Sequence, residues 1–293
     1  MSAEVDLPNP TGSGLPEVPG DKRGGLSRKQ VTLLTRIGQV VLIAAIIAFL
    51  GATGDWAKFS KQYFNWEAGA KLLPRLIGTG LVNTLLYTVL SFIVAVILGT
   101  VVALMKISKV WLYRWIATIY IEIFRGLPAL LVLFLVQFGV PLLYGNVGFL
   151  QNFYVKVALA LGLVSGAYVA ETIRGGIQAV PRGQMEAARA VGMSHGHAMR
   201  TIILPQAIRI IIPPMTNQIV ALVKDSSLAY ALGVTANQYE LTKLSTNAAS
   251  GAILGIPAGP THLIFAGIAY LVITLPLSQA VEWLERRQAK RRF

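Results

Sequence analysis

Twice in this chain a glutamate and an arginine stand three residues apart and run into a glycine, at Glu122-Ile-Phe-Arg125-Gly126 and Glu171-Thr-Ile-Arg174-Gly175. On a helix that spacing puts a carboxylate and a guanidinium on one face, within reach of a charge-assisted pair. Such a pair can be a local brace with a snorkelling arginine, or it can line an inner mouth and rearrange when neighbouring helices move. A further pair, Lys224 beside Asp225, lies in a long apolar run; the two can satisfy each other, or serve as a hinge or cavity wall. Asn83, Thr84, Thr88, Ser91, Gln137, Ser165, Asn217 and Gln218 are uncharged polar residues in or beside similar runs. Each can hydrogen-bond between helices, or take over from water around a polar solute on its way across.

Other chemistries are excluded or weakened. There is no cysteine, so disulfides, thiolate metal sites and thiol nucleophiles are ruled out. His195 and His197 lack further ligands, and no metal site is expected. A phosphate loop of the form G-x-x-x-x-G-K with Ser or Thr following is absent, so nucleotide is not bound that way. The apolar runs also lack the several buried carboxylates of a proton or sodium relay.

The elements that must carry these residues are membrane spans. Of 293 residues, 54% are hydrophobic and 13% charged, where a soluble domain carries about 25% charge. Runs 37–54, 76–105, 126–155 and 244–281 contain no Asp, Glu, Lys or Arg, and each can supply the ~20 apolar residues that cross a bilayer. We expect an all-α integral membrane protein with about six spans, near 34–53, 77–105, 127–145, 154–174, 206–234 and 260–284. Residues 1–30, rich in Pro and Gly, read as a disordered tail. Residues 31–54 are a retained first span and not a signal peptide, and 55–75 a connector with Trp56, Tyr63, Phe64 and Trp66 suited to the interface.

Charge fixes the expected orientation. With six spans, nineteen Lys and Arg near the ends fall on the side of the N-terminus and six on the other. The positive-inside bias makes the richer side cytoplasmic, so both termini are expected there, with 55–75, 146–153 and 235–259 outside. The net charge of +13 then reports orientation, and nucleic acid is not an expected partner.

One cytoplasmic segment stands out, "EAARAVGMSHGHAMRTIILP" at 186–205. It is polar and basic between apolar runs. A short helix after Pro181 carries the small Ala187, Ala188 and Ala190; Gly192 permits a left-handed turn; Ser194 can cap a second helix that leads through Leu204 and Pro205 into the next span. Taken alone, Glu186 is a surface residue placed to pair with Arg189.

This segment resembles the EAA loop of ATP-binding-cassette importer permeases, with Glu186, Ala187, Ala188, Gly192, Ile202, Leu204 and Pro205 at the family spacing. "NTLLYTVLS", "IEIFRGLPALLVLF", "GAYVAETIRGGIQAVPRGQMEAA", "PQAIRIIIPPMTNQ" and "VKDSSLAYALGV" are similar to the polar amino acid branch, the histidine, glutamine and glutamate permeases. The resemblance covers about 76–290 and implies a five-span permease domain whose loop at 181–205 couples to a separate ATPase dimer. It also implies a second permease subunit, an extracytoplasmic substrate-binding protein and a multi-pass place in a prokaryotic plasma (inner) membrane. ATP and Mg then belong to the ATPase; this chain binds no cofactor and is not itself an enzyme. The substrate class it suggests is glutamate or glutamine. The added tail, first span and connector depart from the five-span pattern. Two other functions fit the residues without the resemblance: an ion-coupled secondary transporter, and a membrane scaffold that docks a soluble partner through 186–200.

Since the chain lacks cysteine, single cysteines report the sidedness directly. Replacements of Ser60 and Ser245 are expected to react with an impermeant thiol reagent from outside intact cells, and those of Ser194 and Ala289 only after permeabilisation. Labelling at Ser194 from outside would reverse the orientation.

Overall fold

The computed structural model describes residues 28–145 and 148–289, so the expected tail lies almost wholly outside the described residues. The chain divides into two units, Met1–Trp56 and Ala57–Phe293. In the first, α1 (Arg28–Thr53) is the expected first span. It is apolar on every side, with Ile43, Ile47 and Phe49 all more than half exposed, the pattern of a helix whose solvent is lipid. The Trp56 indole closes its end by donating to the Leu50 carbonyl at 3.1 Å.

The connector after α1 is helical, with α2 (Trp56–Tyr63) and α3 (Trp66–Arg75) running through a π-turn at Leu76–Leu81 into α4 (Val82–Ile107). Asn65 starts α3 by accepting from the Ala68 amide at 3.1 Å. α3 is two-sided: Ala68, Gly69 and Leu72 are buried, while Glu67 and Lys71 pair at 3.1 Å on its exposed face.

α5 (Trp111–Gly126) and α6 (Ala129–Tyr144) follow, bent by 106°. Leu127, ahead of Pro128, is extended, because the proline ring disfavours helical backbone in the residue before it. The expected single span at 127–145 is therefore only the second arm of a bent pair, and 106–125, expected as a cytoplasmic loop, is mostly the first arm. Arg114, Glu122 and Arg125 hid it from a reading by charge-free length.

The short α7 (Gly148–Gln151) leads into α8 (Phe153–Gln178), then α9 (Arg182–Ala190), α10 (His195–Ala198), a π-turn at Met199–Ile203 and α11 (Leu204–Asp225). The expected 206–234 span stops at Asp225, giving way to 3-10 turns at Ser226–Ala231 and Ala236–Gln238. α12 (Leu241–Ala249) and α13 (Thr261–Ala289) complete the second unit. Among the described residues four helical runs are long and apolar enough to cross a membrane, or five with the bent pair taken as one. α11 is not among them: it is long enough, but Arg209, Lys224 and Asp225 dilute its apolar character.

α8 is the axis of the second unit, with more than half its residues buried. α4 runs parallel to it and very close. A Cβ built on Gly99 would lie 2.5 Å from Val169 Cγ1 and 2.9 Å from the Gly166 carbonyl, and one on Gly162 would lie 2.5 Å from Val94 Cγ1. In lipid, helices associate by van der Waals contact and small residues more than by an apolar driving force, so these absent methyls set the distance. Gly78 lies in the same apolar run as Gly99, but a methyl added there would meet nothing within 4 Å.

Gly99→Ala is expected to destabilise the folded protein by about 1–3 kcal/mol through overpacking, read as a lower melting temperature in detergent. Gly78→Ala should leave it unchanged or slightly raised. Ser245 is fully buried and unsuited to thiol labelling; Leu254, 94% exposed, takes its place in the sidedness test.

Candidate functional site

Two constellations lie at opposite ends of α8. Beyond its C-terminus, α9 ends in a left-handed Gly192 with φ +87°. The Met193 amide reaches the Ala188 carbonyl and the Gly192 amide the Arg189 carbonyl, each at 3.1 Å, which is the Schellman arrangement that satisfies the last helical carbonyls. Ser194 caps α10 by accepting from the His197 amide. α10 then passes through the π-turn into α11 without a break, as the sequence predicts.

The turn has an inner and an outer side. Ala188 and Ala198 are buried, and Met185, Met199 and Ile202 pack against Val180, Ile203 and Ala207. Glu186, Ala187, Gly192 and Pro205 are exposed, Leu204 is half-buried, and Val191 stands 79% exposed. The Glu186–Arg189 pair does not form among the described residues; Arg189 instead donates to the Met193 carbonyl at 2.8 Å. That leaves the Glu186 carboxylate beside an outward surface of small and apolar side chains.

The two E-x-x-R-G segments behave differently. Arg174 holds Glu171 with two hydrogen bonds, at 2.5 and 3.2 Å, and Gln178 with a third at 2.7 Å. Glu122 and Arg125 make no such pair among the described residues; the Arg125 guanidinium lies 5.5 Å from the Tyr168 ring centroid, one turn before Glu171. Lys224 and Asp225 form no ion pair either, since adjacent helical residues point about 100° apart; Lys224 is exposed and Asp225 half-buried.

At the N-terminal end of α8, the loop 233–240 closes over the ends of α4 and α8. Asn83 donates to the Asn237 and Tyr239 carbonyls at 2.8 and 2.9 Å and accepts from the Tyr154 hydroxyl at 2.9 Å. The Tyr87 hydroxyl reaches the Gln238 carbonyl at 2.7 Å, and the Leu241 amide reaches Thr84 at 3.3 Å. Asn83 and Thr84 thus hold backbone, and Thr88 bonds the Thr84 carbonyl. Ser91 is buried without a partner and Ser165 is buried. Asn217 is exposed and Gln218 half-buried. Only Gln137 of the eight polar residues lines the cleft beside this loop, which has a volume of about 460 Å³ and also takes in Asn152, Tyr154, Lys156, Asn237 and Gln238.

Glu240, which sequence reasoning passed over, anchors this end. It is 1% exposed and caps α12, accepting from the Thr242 and Lys243 amides at 2.6 Å each and from the Tyr270 hydroxyl at 2.9 Å. Its signal in sequence is faint, a lone acid ahead of a short helix. Burial pushes its carboxyl up to about 7, against the pull of those donors.

Apolar helical spans, two helices parallel at glycine contacts and a polar turn between α8 and α11 give the architecture of a helical membrane protein. The chain matches, over residues 95–290, the family described as "Binding-protein-dependent transport system inner membrane component", and it belongs to that family. It is 40% identical over 211 residues to the probable glutamine ABC transporter permease protein GlnM of Bacillus subtilis, covering 72% of this chain and 92% of that one. To the glutamate/aspartate import permease protein GltK of Escherichia coli it is 34% identical over 236 residues, 77% of this chain and 99% of the other. Among solved structures, an amino acid ABC transporter with histidines superposes with a TM-score of 0.64 at 36% identity, covering 74% of this chain and 96% of that chain. The methionine transporter MetNI in an inward-facing form, at 19% identity and a TM-score of 0.55, shares the fold.

A raised carboxyl pKa means that the folded state holds a proton the unfolded chain has released. Between the ordinary value of 4.5 and about 7, stability should therefore fall as pH rises. Melting temperatures across pH 5 to 8 should show that slope in the wild type, and Glu240→Gln should flatten it.

Proposed function

We propose that this chain is the permease subunit of an ATP-driven importer for a polar amino acid of the glutamate or glutamine class. The observation that carries the reading is the turn at 181–205: a rigid, internally satisfied reversal whose outer side presents Glu186, Ala187 and Val191 while its inner side continues directly into α11. In the proposed cycle an ATPase dimer, holding ATP and Mg, seats this turn in the cytoplasm. Closure of the dimer moves α9 and α10, the π-turn transmits the movement to α11, and the helices reorient to receive substrate from an extracytoplasmic binding protein. Hydrolysis resets them. In this reading Glu122, Arg125, Glu171 and Arg174 form the inner gate, and Ser91, Gln137, Asn217, Gln218, Lys224 and Asp225 are the path residues with polar groups still to offer. A second permease subunit completes the pathway, both termini are cytoplasmic, and residues 1–75 add an N-terminal tail, a span and a connector to the core at 76–290. Names of relatives at 34–40% identity support the amino acid class.

The test is co-purification of the ATPase with substrate-stimulated hydrolysis in vesicles. Glu186→Ala is expected to weaken association or uncouple hydrolysis, since it removes a carboxylate while leaving a better helix former. Gly192→Leu imposes left-handed strain of about 1–2 kcal/mol and puts a bulky group on the docking side, and should weaken coupling further. A methyl at Gly192 meets nothing within 4 Å in this chain, so Gly192→Ala should be milder. Membrane insertion should survive all three. Wild-type association in both Glu186→Ala and Gly192→Leu would remove the coupling role.

A further inference from the structure

The cleft at the N-terminal end of α8 holds a cation and no anion. Lys156 is 7% exposed and lines the cleft, whose other walls are amides, aromatic rings and backbone, with no Asp or Glu among them. Its ammonium forms no ion pair with any described residue. The first turn of α8 adds the positive end of a helix dipole beside that charge. Nearby, Gln137 Oε1 is buried with no hydrogen-bond partner, an acceptor awaiting a donor. The volume of about 460 Å³ falls in the roughly 300–1,000 Å³ range of small-molecule sites. One unmatched cation and one unmatched acceptor suit a solute that is anionic overall and also carries an N–H group. A zwitterion would bring its own positive charge to a cleft that already has one, and a cationic amino acid would bring an excess.

We infer that this cleft receives an amino acid with two carboxylates, one of them paired with Lys156, while Gln137 Oε1 accepts from its ammonium. The inference rests on the reading of the chain as an amino acid permease and narrows that reading from polar to acidic substrates. Lys156 is then a specificity-determining residue at the cleft, apart from the ATPase-docking turn.

The experiment uses the whole transporter in its own host. A strain lacking this chain is complemented with wild type, Lys156→Met, Lys156→Gln or Lys156→Arg, membrane abundance is checked by immunoblot, and initial uptake of labelled L-glutamate, L-glutamine and L-arginine is measured. Loss of the counter-cation should lower glutamate uptake efficiency about tenfold or more in the Met and Gln variants. Lys156→Arg should keep it within roughly threefold, since the charge remains though its geometry differs. Any glutamine uptake should change much less. On the wild type alone, unlabelled L-aspartate should compete with glutamate far better than L-glutamine does, a readout that needs no substitution. Unchanged glutamate uptake in a membrane-resident Lys156→Met or Lys156→Gln, equal losses for all substrates, or equal competition by aspartate and glutamine overturns the acidic assignment and leaves the amino acid permease standing. If uptake of none of the three depends on the chain, the permease reading itself falls, and the inference with it.

Discussion

The close parallel approach of α4 and α8 is the constraint on which the rest of the second unit depends. Gly99, Gly162 and Gly166 leave no room for a side chain where the two helices cross, and Tyr120 fills the remaining gap by donating its hydroxyl to the Leu163 carbonyl at 2.7 Å. Two parallel helices cannot be joined by a tight turn, so the chain must return between them. The bent pair α5–α6 makes that return. Its 106° corner packs Phe124, Leu127 and Phe134 on the same cluster that holds Tyr87, Val157 and Leu161.

From that arrangement follows the separation of the two constellations. α8, at about 1.5 Å per residue, runs from the cleft at Phe153 to within a few residues of α9, and α11 runs back from the turn to the loop that closes the cleft. Gly176 lies against Ile211 so tightly that an added Cβ would be 2.3 Å from its Cγ1, so the two helices are in close contact next to the turn. The turn at one end is rigid because its carbonyls and caps are satisfied internally. The loop at the other is held by side chains of α4, α8 and α13, namely Asn83, Tyr87, Tyr154 and Tyr270. A helix with firm attachments at both ends and a π-turn at one of them is suited to carry displacement as a body, which is the kind of motion the proposed cycle requires.

Buried polarity is distributed unevenly between these ends. Near the turn, charges are exposed or paired, as in Glu171 with Arg174. Around the cleft, Glu240 is enclosed by donors while Lys156 has none of the opposite charge beside it. The two are not each other's partners, so each keeps its own demand on the surroundings: Glu240 on α12 and α13, Lys156 on whatever enters the cleft.

What could be read without the structure was what depends on neighbours in sequence. Long apolar stretches marked α1, α4, α8 and α13 because span length is a property of consecutive residues. Gly192, Ser194 and Pro205 marked the turn, because left-handed backbone, capping and helix entry are settled within a few positions. The break at Pro128 was missed, the expected span running through it, and the helix on its near side was hidden by Arg114, Glu122 and Arg125. The remaining features were decided by contacts between distant segments. Asn83 reads as a solute partner until its bond to Asn237, 154 residues away, shows it holding a loop. Glu240 reads as an exposed acid in a connector until Tyr270 and two amides enclose it, and Lys156 as the end of a charge-free run until α6, α7 and the 233–238 loop fold around it. Local backbone preference and apolar length were determined by the sequence alone; which polar groups are satisfied and which wait for a ligand was decided only by the tertiary structure, because burial and partner supply are properties of the whole packed bundle.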